Sequence, residues 1–186
     1  MNMKSFVYGL IVFLTLSSCY TGRSASGSTL LPENKIKAGL SSFQYEFLDR
    51  INQLRARGCN CGNTYMPPVA ALNWNSQLEM AALGHAQDMS RKKYFDHVSK
   101  NGRTLKDRIF ETGYTYNGYQ SYFIGENIAM GQRSIREVMD GWIGSEKHCK
   151  NLMNPDFKEV GIAVVNSYWV QDFGARNPFT KNSARR

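Results

Sequence analysis

The sequence predicts an α+β fold, with helices set before and between short antiparallel strands. Three observations predict it. Apolar residues recur at helical spacing in several segments, each opened by a capping residue. After Pro155 the texture changes to two β-branched and aromatic runs around Asn166-Ser167, a hairpin pattern. The stretch between the two polar ends, residues 33–179, has the size of one domain with one core.

The elements follow in order. Ser41-Ser42-Phe43-Gln44 reads as a capping box, Phe43, Phe47, Ile51 and Leu54 continue at helical spacing, and Gly58 ends the run. Cys59 to Val69 holds two glycines and two prolines and reads as a loop. Asn75 or Ser76 caps a second helix carried by Leu78, Ala81, Ala82, His85 and Met89. His85 lies on that apolar face and is expected to be a core histidine. Lys100 to Arg103 is a turn signal, and Thr104 caps a short third helix through Phe110, stopped by Gly113. Tyr114 to Tyr116 and Tyr122 to Ala129 are strand candidates. Ser134 to Glu137 is another capping box, with Ile135, Val138, Met139 and Trp142 as the apolar face behind it. Val160 to Val165 and Tyr168 to Phe173 form the hairpin. No internal repeat is visible.

The first residues read as an export signal. Lys4 precedes an apolar run, Phe6 to Leu16, that falls short of the ~20 residues a bilayer span needs. Leu16-Ser17-Ser18-Cys19 resembles a lipobox, which makes residues 1–18 a lipoprotein signal peptide and Cys19 the acylated residue. In a Gram-negative cell, Tyr20 at the next position favours the outer membrane. Residues 19–32 are rich in Ser and Gly and read as a flexible tether, and 180–186 as a basic tail. The formal net charge is +8, and loss of Lys4 with the signal leaves 22 basic against 15 acidic residues, or +7. The basic residues are scattered and form no nucleic-acid motif, so anionic lipid or wall polymer is the expected charge partner rather than nucleic acid.

With Cys19 assigned to lipid, Cys59, Cys61 and Cys149 remain in a chain expected to meet an oxidising compartment. Cys59 and Cys61 are too close for an easy mutual bridge, so one of them should reach Cys149. The rival arrangement is a thiolate metal site completed by His148. No sequence neighbour of Cys59 argues for an activated thiol, and it reads as inert.

The chain has three histidines, and two of them, His97 and His148, flank Gly125-Glu126-Asn127. Separated imidazole and carboxylate groups of this kind suit a divalent metal or an acid/base pair. Asn52-Gln53-Leu54-Arg55, Leu72-Asn73-Trp74-Asn75, His85-Ala86-Gln87-Asp88-Met89, Phe95-Asp96-His97, Gly125-Glu126-Asn127-Ile128-Ala129, Ser145 to Asn151 and Tyr168 to Gly174 resemble, as an ordered set, the CAP superfamily of cysteine-rich secretory, antigen 5 and pathogenesis-related 1 proteins in its bacterial form.

The resemblance implies a three-layer α-β-α sandwich with a small antiparallel sheet, and a Cys61–Cys149 bridge. It also implies a cleft where His97, Glu126 and His148 meet and can hold zinc or another divalent cation. Glu146 is the carboxylate nearest the place of the family's second glutamate, where many bacterial members have proline. No single activity unites the family. The reading taken from it is a membrane-anchored envelope lipoprotein that binds a lipid or another small hydrophobic envelope ligand. The alternatives are a metal-dependent hydrolase using the same cleft, and an adhesin or scaffold. A serine nucleophile finds no support, because no nucleophile-elbow motif accompanies Ser99 or Ser145.

Overall fold

Ser41 opens the first helix as expected. Its hydroxyl accepts from the Gln44 amide at 3.3 Å, and the Gln44 side chain accepts from the Ser41 amide at 2.9 Å. This helix, α1, runs Ser42–Arg57 and ends at Gly58, whose φ of 72° lies in the region glycine tolerates. The computed structural model describes residues 39–179. The expected signal peptide, its Cys19 and the tether lie outside these residues, as does the basic tail. No helix among the described residues is long and apolar enough to cross a membrane.

Cys59 to Val69 is more ordered than expected. Cys59–Cys61 (β1) and Thr64–Met66 (β2) pair as a small antiparallel ribbon. Three-residue strands around Gly62-Asn63 are too short to leave a periodic signal. Asn73–Trp74 (β3) then leads directly into α2, Ser76–Lys92, and the Asn75 side chain accepts from the amides of Gln77 and Leu78. Thr104 caps α3, Leu105–Glu111, in a capping box with Asp107.

Tyr114 to Tyr116 is not a strand; the strand in this region is β4, Ser121–Met130. Tyr114 is instead fully buried, with its hydroxyl donating to Glu159 at 2.6 Å. Ser134 caps α4, Ile135–Gly144. Glu137 folds back onto the Arg133 amide rather than that of Ser134, so the expected box is shifted by one residue. Glu146–Leu152 forms α5, and Glu159–Val165 (β5) and Tyr168–Asn177 (β6) form the expected hairpin. Asn166 and Ser167 both have positive φ, 49° and 64°, as a tight right-twisting hairpin turn requires.

The main sheet has the order β3-β5-β6-β4. It is antiparallel except for the two-residue β3–β5 pairing. Alternation along the strands sends the two sets of side chains to opposite layers. On one face Val160, Ile162, Trp169 and Phe173 join Phe47 and Ile51 of α1, Val138 and Trp142 of α4 and Leu152 of α5. On the other, Ile128, Ala163 and Val170 meet Ala82, Ala86 and Met89 of α2, and Leu78 and Ala81 of α2 pack with Ile109 of α3. The architecture is therefore the α-β-α sandwich that the resemblance implied.

Two long-range ties hold the α1 layer. Arg55 is fully buried and donates to four backbone carbonyls, those of Ala70, Leu152, Asn154 and Phe157. Burial lowers its pKa to about 10, still high enough to keep it cationic at neutral pH. A disulfide joins Cys61 of β1 to Cys149 of α5 across a sequence separation of 88 residues. This is the pairing the resemblance implied.

Candidate functional site: a half-exposed histidine on a buried ion pair

The loop between α2 and α3 carries His97, and two buried side chains fix its backbone. His85, fully buried on α2, reaches the Asp96 carbonyl with Nε2 at 2.9 Å. A carbonyl can only accept, so Nε2 carries the proton. Burial lowers the His85 pKa, which keeps this ring neutral. His85 is thus the core histidine expected from the sequence, and it also positions the loop. Arg108 of α3, almost fully buried, donates through Nη1 to the carbonyls of His97 at 2.9 Å and Arg103 at 3.2 Å.

Glu126 lies between these groups on β4. Its Oε2 accepts from Arg108 Nη2 at 2.6 Å, and its Oε1 pairs with His97 Nδ1 at 2.7 Å. The Glu126 and Arg108 side chains are 2% and 3% exposed, whereas that of His97 is 54% exposed. A buried ion pair therefore backs an imidazole whose Nε2 is left for solvent. The hydrogen bond to Glu126 raises the His97 pKa, its largest cause, against partial burial.

Asp172 of β6 stands directly across the strand pair from Glu126 and is fully buried. Neither of its oxygens finds a donor among the described groups. Burial first, and the neighbouring Glu126 second, push its pKa well up. A neutral Asp172 can donate its hydroxyl to Glu126 and avoids the repulsion of two ionised carboxyls facing each other across a strand pair.

His148 enters from the opposite layer. Asn127 donates to the His148 carbonyl at 3.2 Å and to Gln171 at 2.9 Å. Asn151 donates to the Glu126 carbonyl at 3.1 Å and to the Asn127 side chain at 2.9 Å. These two asparagines lock α5 onto β4. Burial lowers the His148 pKa, and the nearby charge of His97 lowers it further. Glu146 is engaged elsewhere, by Lys150 Nζ at 2.6 Å, on the exposed side of α5.

These contacts limit what a metal could use. Both Glu126 oxygens are already taken, one by a guanidinium, so Glu126 fits as the group that orients His97 rather than as a ligand. Glu146 does not contribute. Of the expected ligands, this leaves the ring nitrogens of His97 and His148 that the hydrogen bond to Glu126 does not use. Among the described residues, the ligand atoms of three such groups that gather within 4.8 Å of one another are the sulfurs of Cys59, Cys61 and Cys149, not the histidines and Glu126.

Of the residues expected from the sequence, His97 and Glu126 are in contact, while His148 meets this network through its backbone carbonyl on Asn127; Arg108, Asp172, Asn127 and Asn151 were not foreseen. The legible signal was Asp172. It shares the inward parity of Val170, and a charged residue buried there needs a partner.

Comparison with known sequences places this architecture. The model of the cysteine-rich secretory protein family, CAP, matches residues 48–173. The chain belongs to this family. Among relatives, an uncharacterized membrane protein, YlbC, of Bacillus subtilis (strain 168) is 38% identical over 105 residues, 56% of this chain and 29% of its own. An uncharacterized protein of the same strain, YkwD, is 38% identical over 104 residues, 55% of this chain and 38% of its own. The match thus spans well under half the length of either relative.

Among solved structures, an extracellular SCP-domain protein from Bacillus anthracis aligns with a TM-score of 0.58 and 32% identity, covering 69% of this chain and 39% of its own. An outer surface protein of Borrelia burgdorferi aligns with a TM-score of 0.57 over 72% of this chain and 92% of its own. At 21% identity it supports the fold alone.

Proposed function

We propose that this CAP chain is an exported envelope module, held at a membrane by a lipid on Cys19, that binds a small amphipathic envelope ligand at the His97–His148 cleft. The observation carrying the binding reading is the contrast in exposure between His97 and the pair behind it. A buried ion pair is a weak source of stability, and a purely structural network has no need to present one imidazole to water. Phe95 and Val98, 47% and 46% exposed, flank His97 in the chain and offer apolar surface beside the polar group. The names of the relatives as membrane and extracellular proteins agree with an exported setting.

A divalent cation, where present, would sit on His97 and His148 and supply a positive centre for an anionic headgroup. In calorimetric titration with zinc, His97→Ala and His148→Ala should each weaken binding by at least about tenfold. Glu126→Gln should weaken it about 10- to 100-fold through loss of ring orientation. His85→Ala should lower stability with a smaller effect on affinity. Zinc needs neutral imidazoles, and the His97 pKa is raised, so affinity should begin to fall on acidification at a pH above the ordinary histidine value near 6.5. Equal zinc binding by wild type and the His97/His148 double variant would eliminate the metal centre. Native mass spectrometry of the protein from its own envelope tests the ligand itself: a retained lipid supports the binding reading, and its absence from every preparation counts against it.

One observation favours hydrolysis as the second reading. The His97 pKa is raised and that of His148 lowered, the divergence that would suit an acid and a base acting across one cleft.

The anchor has its own test. Leu16-Ser17-Ser18-Cys19 follows a short apolar run, so Cys19→Ala should move the protein from the detergent phase to the aqueous phase. Unchanged partitioning would refute lipidation at Cys19.

A further inference from the structure

The three sulfurs form a cluster that the cleft does not use. Among the described residues Cys59 is the free cysteine, half-buried on β1, and its thiol lies 3.6 Å from Cys149 Sγ and 3.9 Å from Cys61 Sγ. Cys61 and Cys149, which form the bridge, are both fully buried. An outside thiol therefore has no direct path to the bridge, while a resident thiol already touches both of its sulfurs.

We propose that Cys59 is the nucleophile of a thiol–disulfide exchange site, through which the bridge passes between Cys61–Cys149 and Cys59–Cys149. The Cys59 thiol gives its proton to solvent, and the sulfur lone pair forms a bond to Cys149 Sγ. The Cys61–Cys149 bond breaks, and its electron pair leaves on Cys61 Sγ, which takes up a proton. One bond forms, one breaks, and there is no net oxidation or reduction.

Cys149 is the nearer sulfur, and its bond to Cys59 leaves the buried Cys61 as the free thiol. The near-equal distances place Cys59 beside the bond rather than along its extension. Displacement therefore needs Cys59 to swing into line, a movement open to a three-residue strand that pairs only with β2 and lies outside the main sheet. Burial raises the Cys59 pKa, so exchange is slow at neutral pH and gains as alkaline conditions raise the thiolate fraction. The consequence is access. In the exchanged form, half of the bridge is a sulfur that solvent can reach, and an external thiol can reduce it without unfolding the domain.

The test uses the full chain carrying Cys19→Ala, so that no further thiol competes. Reduction of the bridge by dithiothreitol is followed under native, mildly alkaline conditions. Cys59→Ser should slow reduction by about tenfold or more. A folding defect in this variant would speed reduction, so it cannot imitate the expected result. Equal or faster reduction overturns the proposal. In Cys61→Ala, non-reducing peptide mapping should find Cys59 joined to Cys149. Recovery of Cys149 as a free thiol would mean that the fold cannot hold the exchanged bridge, and would equally overturn the proposal.

Discussion

Arg108→Met should cost about 3–5 kcal/mol of folding stability at neutral pH, because it strands a buried carboxylate. Arg108 neutralises Glu126 at 2.6 Å, and both side chains are almost wholly out of water. The substitution keeps an apolar stem of similar length but removes the charge and the bonds to the His97 and Arg103 carbonyls. Urea denaturation measures the loss. Arg108→Met combined with Glu126→Gln should lose less than the two single costs added, since neither charge is then left alone. Strict additivity would mean that the two residues do not act as a pair.

Asp172 gives the same cluster a pH signature. Its folded pKa is raised well above the ordinary carboxylate value, by burial first. The folded state therefore holds a proton that the unfolded state releases. Stability from this group is complete below the unfolded pKa and declines as pH rises toward the folded one. Asp172→Asn, which cannot ionise, should flatten that decline and raise stability at neutral pH.

The difference between what the sequence announced and what it hid follows from the range of the interactions. Capping is local. Ser41, Asn75, Thr104 and Ser134 each satisfy amides within three residues, and all four were legible. The Asn166-Ser167 turn was legible for the same reason. The site itself joins α2, α3, β4 and α5, and no local rule connects Arg108 to Glu126 or Asn151 to Asn127. The family resemblance could mark His97, Glu126 and His148 because it carries order along the whole chain. It could not assign Glu126 to a supporting role, because that depends on Arg108 occupying one of its oxygens. The α5 helix, Glu146–Leu152, was missed because its seven residues give little periodicity and, unlike the equally short α3, it has no side-chain cap.

Gly161→Ala should be the most damaging single-methyl change in the domain. Gly161 reads in the sequence as one residue of a β-branched strand, with nothing to mark it. Its role comes from the way β3 hands the chain to α2. The β3 strand pairs with β5, the Asn75 amide donates to the Val160 carbonyl at 2.9 Å, and α2 begins at the next residue. The first turn of α2 is thereby pressed onto β5 at Gly161. A Cβ there would lie 2.5 Å from the Leu78 carbonyl carbon and 2.7 Å from the Glu79 Cα, both backbone atoms. Gly174→Ala and Gly125→Ala also meet neighbours at 2.5 Å, but these are the ring ends of Tyr114 and Phe157, side-chain rather than backbone atoms, so a ring and not a helix has to shift. Those two should cost about 1–3 kcal/mol, as overpacked cores do. Gly161→Ala offers no such relief, because α2 must lift as a unit and separate Leu78, Ala82 and Ala86 from the sheet. The expected loss exceeds about 4 kcal/mol, enough to leave much of the protein unfolded at moderate temperature. Because α2 carries His85, any folded remainder should also lose the hydrogen bond that holds the Asp96 carbonyl. Thermal unfolding of the three alanine variants ranks them directly. A Gly161→Ala protein as stable as Gly174→Ala would mean that α2 is not seated against β5 as closely as this contact requires.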